Sequence, residues 1–161
     1  MRVRRAVRSK PKSDHMIPDE VAHAVALHKC LTDPFTRGYL ACALWSSHDE
    51  STPEGGEPFD RKYSESDFAA SALRQAFDEC QAFQEANEPM LAIYRQTCTG
   101  GDGNPYETAG HDFWLTRNRH GAGFWDRDAV PEDAQTALTN AAHAAGERNP
   151  YLGDDGKIYF A

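Results

Sequence analysis

The sequence predicts an α+β fold in which N-terminal α-helices, over about 18–31, 33–46, 65–86 and 89–97, precede a β-β-α-β-β unit with a small antiparallel sheet. Three observations carry this expectation. Apolar residues recur at helical spacing through the first half; aromatic and β-branched residues gather at 111–117 and 122–126; and the alanine-rich stretch 131–147 leads into YLGDDGKIYF, whose Asp155-Gly156 pair signals a hairpin. A chain of 161 residues fits one domain and buries roughly two thirds of its unfolded surface without metals or disulfides. Residues 16–161 are read as that α+β domain, and 1–15 as a basic, disordered arm.

The first helix starts at Pro18, whose fixed φ suits a first helical position. Asp19 and Glu20 favour its N-terminal dipole, Lys29 favours the other end, and Val21, Ala24, Val25, Leu27 and Leu31 form its apolar stripe. Asp33-Pro34 is an N-cap followed by proline and opens the second helix, whose apolar side chains spread around most of its circumference. The acidic, Pro- and Gly-rich residues 47–60 predict a mobile surface loop. Ser64 or Ser66 caps the third helix, with Ala69, Leu73, Ala76, Phe77, Cys80 and Phe83 on one face; a shorter helix follows Pro89, and 99–110 reads as a loop.

The stretch 110–128, GHDFWLTRNRHGAGFWDRD, concentrates aromatic, basic, acidic and glycine residues. Read as a hairpin turning at Asn118-Arg119-His120, it places Phe113 opposite Trp125, Trp114 opposite Phe124 and Asp112 opposite Asp126. Two polar groups then lie at its ends, on the order of 15 to 20 Å apart. His111, Asp112 and Asp126 at the base are candidate catalytic residues, because facing carboxylates need a compensating cation or a raised pKa. Arg117, Asn118, Arg119 and His120 at the tip are candidate ligand contacts, offering planar donors suited to phosphate or carboxylate. The plainer readings are a structural salt link at the base and an exposed basic turn at the tip. The separation keeps His111 and His120 from sharing a metal, the scattered cysteines lack zinc-ligand spacing, and neither a metal site nor a cofactor is expected. His143 reads as a solvated or capped residue.

Charge is uneven along the chain. Residues 1–12 hold six cations and no acid, leaving 13–161 with eleven Lys plus Arg against twenty-five Asp plus Glu, a formal charge of −14. The arm reads either as a polyphosphate-binding tail or as an extension ahead of a second start at Met16. The acidic body reads either as an ordinary solvated surface or as an imitation of a nucleic-acid backbone. No apolar run is long enough to cross a membrane, and no apolar segment follows the N-terminal cations, so no membrane association and no export are expected. Cys30, Cys42, Cys80 and Cys98 form no Cys-x-x-Cys pair, which predicts free thiols in a reducing compartment and hence a cytoplasmic location.

Three pieces, DPFTRGYLACALWSS at 33–47, AGHDFWLTRNRHGAGFWDRD at 109–128 and YLGDDGKIYF at 151–160, together resemble small hypothetical proteins of bacteriophages and of phage-derived or mobile elements. The pattern of that group carries glycine at the position of Arg119. The resemblance implies a bacterial host cell as the setting and supplies no catalytic residues. Three function classes follow from the sequence. The first is a small acidic accessory protein that binds a host or phage protein without catalysis. The second is a nucleic-acid-binding protein that uses the arm and the hairpin tip. The third is a small hydrolase or lyase built on His111, Asp112 and Asp126, or on His120.

Overall fold

The computed structural model describes residues 18–98 and 103–161, so the basic arm lies outside the described residues. Within them the α+β class holds, weighted strongly toward helix: α1 (Asp19–Thr32), α2 (Pro34–Ser46), α3 (Ala70–Thr97), α4 (Pro105–Arg117) and α5 (Glu132–Ala144) precede a two-stranded antiparallel sheet of β1 (Pro150–Leu152) and β2 (Ile158–Phe160).

The β-β-α-β-β arrangement is corrected at its first two strands. Residues 111–117 belong to α4, and 118–123 form a turn leading to a single 3-10 turn over Phe124–Asp126. The start of α4 repeats the chemistry of α2. Asn104 accepts the Tyr106 amide as Asp33 accepts that of Thr36, and each cap is followed by proline. The aromatic content of α4 reflects burial on all sides: Ala109, Gly110 and every residue from Asp112 to Arg117 are buried. Such a helix shows no stripe, and its short-range composition imitates a strand.

The two helices expected over 65–86 and 89–97 are one continuous helix, α3, with Pro89 inside it. Residues 65–67 instead form a 3-10 turn with a Ser64–Asp67 capping box. Loop 47–60 is partly ordered, since His48 bridges Pro58 and buried Phe59 anchors its far end. The hairpin turns where expected, with Gly156 at φ +78, Tyr151 opposite Tyr159, and Phe68 bridged singly to Ile158 on the other edge of β2. The Ala-rich α5 does not cover the sheet; it packs on α3, α4 and the 3-10 turn.

An aromatic stack holds the helices together. Phe113 lies 4.0 Å from Phe83 and 5.8 Å from Phe35 between ring centres, while Tyr39 meets Trp114 edge-on at 5.1 Å. Phe124, turned inward by Gly123 at φ +155, closes the stack against Phe83 and Tyr94. Each such buried ring contributes about 1.5–3 kcal/mol by burial, and each well-oriented pair about 0.5–1.5 kcal/mol more. The cross-strand pairings expected for these aromatics are absent: Phe113, Trp114 and Phe124 are core residues, and Trp125 is 47 % exposed. α2 and α4 touch backbone to backbone, where Gly38 faces Glu107 and Gly110 faces Phe35 with no room for a Cβ.

Candidate functional site

Asp112 points from α4 into the core, fully buried. Arg127 approaches it side-on, with Nε 2.8 Å from Oδ2 and Nη2 2.7 Å from Oδ1, and the Tyr94 hydroxyl donates to Oδ2 at 2.5 Å. The side-on guanidinium and the tyrosine thus place three donors on one carboxylate, in the planar two-bond geometry of an Arg–carboxylate pair. Burial and the neighbouring Asp112 push the Tyr94 hydroxyl far above its ordinary pKa, so it donates and does not ionise. Asp126 is not opposite Asp112: it is exposed on the 3-10 turn and forms no ion pair among the described residues. His111, half-buried, lies against Trp45 with ring centres 5.7 Å apart. Burial lowers its pKa, with Asp112 opposing and Arg127 reinforcing that effect, so the imidazole is neutral at neutral pH. The three catalytic candidates are therefore not gathered around one space, and Asp112 is saturated by internal partners.

The basic tip is also dispersed. Arg117, expected at the surface, is 1 % exposed. Its Nε and Nη2 donate to the carbonyls of Gly146 (2.7 Å) and Ala145 (3.0 Å) beyond the C-terminus of α5, and its Nη1 donates to Tyr39 Oη (3.0 Å) and Glu79 Oε2 (2.6 Å). Arg148 adds a second guanidinium to Glu79, at 2.6 and 2.9 Å. Burial raises the Glu79 pKa, but hydrogen bonds from Arg148 and Arg117 outweigh it and hold the carboxyl below its ordinary value. Asn118 is used internally, accepting from the Arg148 amide and donating to the Trp114 carbonyl. Arg119 and His120 remain at the surface, Arg119 in the left-handed region at φ +56.

Asn118 and His120 nevertheless border an open space. A cleft of about 700 Å³ lies between the C-terminal ends of α2 and α4, loop residues 47–51 and the outer edge of β1. His48, Glu50, His120, Asn149 and Tyr151 line it, and their side chains make no hydrogen bond or ion pair among the described residues. Arg148 also lines it, held by Glu79, a carboxylate it shares with Arg117. Sequence reasoning found two of the lining residues and missed the others, because they come from separated loops and a strand edge with no shared periodicity. It likewise missed Tyr94, Glu79 and Arg148, whose partners lie far along the chain.

The expected compartment and membrane readings meet the structure only in part. No helix among the described residues is long and apolar enough to cross a membrane. Cys30, Cys42, Cys80 and Cys98 are free thiols, the first three buried. Among the described residues no group of three or more His, Cys, Asp or Glu side chains is placed to hold a metal ion. Comparisons with protein-family models, curated proteins and solved structures find no match.

Proposed function

We propose that the protein is a small acidic accessory protein of a phage or mobile element that acts in the bacterial host cell by docking a host or phage protein, not by catalysis. One observation carries this reading. The polar side chains of the central motif best suited to chemistry, Asp112 and Arg117, are consumed in internal bonds, whereas the unused polar groups line an open cleft. The acidic balance of residues 13–161 and the exposed Trp45, Trp125 and Tyr151 support a protein surface built for association. Arg119 also bears on the phage setting. Its φ of +56 is one that glycine adopts without strain, so the glycine of the resembling phage pattern fits this backbone.

The hydrolase or lyase reading loses support because Asp112 is saturated and His111 is neutral and stacked on Trp45. The nucleic-acid reading loses Arg117 from its tip. The test is affinity capture of the tagged full chain from phage-infected bacteria, followed by reconstitution with the purified partner. A complex of fixed stoichiometry is expected. Repeated failure to reconstitute one overturns the reading, as does duplex DNA binding in low salt that disappears when residues 1–15 are deleted.

A further inference from the structure

We draw no further inference here: the strongest candidate, the exposed apolar face of α1 formed by Val21, Ala24 and Val25, is unpartnered among the described residues, and nothing in the structure shows what covers it.

Discussion

Asp112 illustrates how one residue's environment decides between chemistry and structure. A carboxylate held by an Arg fork and a tyrosine has no free lone pair directed at a substrate, and withdrawing its charge leaves Arg127 and Tyr94 facing an amide. Breaking a buried pair by removing one partner costs about 3–5 kcal/mol, and because Arg127 is 31 % exposed the lower end applies here. Asp112→Asn is expected to lose about 3 kcal/mol in urea unfolding, with a smaller loss when Arg127→Gln is added. The thiols give a second residue-level expectation. Burial, helped by Asp33 and Asp78, pushes Cys30 up to about 12; burial also pushes Cys42 to about 12 and Cys80 well above its ordinary value; Cys98 is half-buried. A maleimide at pH 7.5 is expected to label the native protein at Cys98 alone and to reach the other thiols only in denaturant; rapid native labelling at Cys42 is the contrary result.

Among the elements, the α2–α4 contact is the least tolerant. A Cβ at Gly38 would sit 2.1 Å from the Glu107 carbonyl oxygen, and one at Gly110 would sit 1.8 Å from that of Phe35. Both obstacles are backbone, so Gly110→Ala is expected to separate the helices and destabilise by several kcal/mol despite alanine's advantage of about 1 kcal/mol in helix propensity. Circular dichroism melts read this directly, and a variant as stable as the parent contradicts the close packing. The same contact explains what was legible beforehand. α2, α5, much of α3 and the Asp155-Gly156 turn announced themselves through caps, stripes and turn residues; α1 announced itself through Pro18 and its first-turn acids, but its expected stripe is corrected, since Val21, Ala24 and Val25 are exposed and Ala26 and Cys30 are its buried residues. α4 did not, because its aromatics are buried around the whole circumference and its glycine serves packing, not a turn. Its one readable signal was Asn104-Pro105, the same cap-and-proline start as Asp33-Pro34, set within an apparent Gly-rich loop. The cleft left no such trace, since a strand edge exists only once strands are paired.

For the whole molecule, acid is a stress that reaches the buried Arg117 through Glu79. Glu79 has a folded pKa below its ordinary value of 4.5, so the unfolded chain binds protons more readily there. The stabilisation it provides is complete above about pH 4.5 and is lost as pH falls through the lower folded value. Glu79→Gln is expected to lower stability at pH 7 and to flatten the acid limb of the urea midpoint against pH. An unchanged limb indicates that other carboxylates dominate.

The guanidinium of Arg117 ties four helices at one point: its own α4, α2 through Tyr39, α3 through Glu79 and the end of α5 through the carbonyls of Ala145 and Gly146. No one of these helices can fray inward without stranding a cation in a dry interior. Partial openings are thereby penalised relative to complete ones, and amides near Tyr39, Glu79 and Trp114 are expected to exchange at a common rate with a common denaturant sensitivity. The chain thus couples its helices into a single cooperative unit by a polar knot at their crossing.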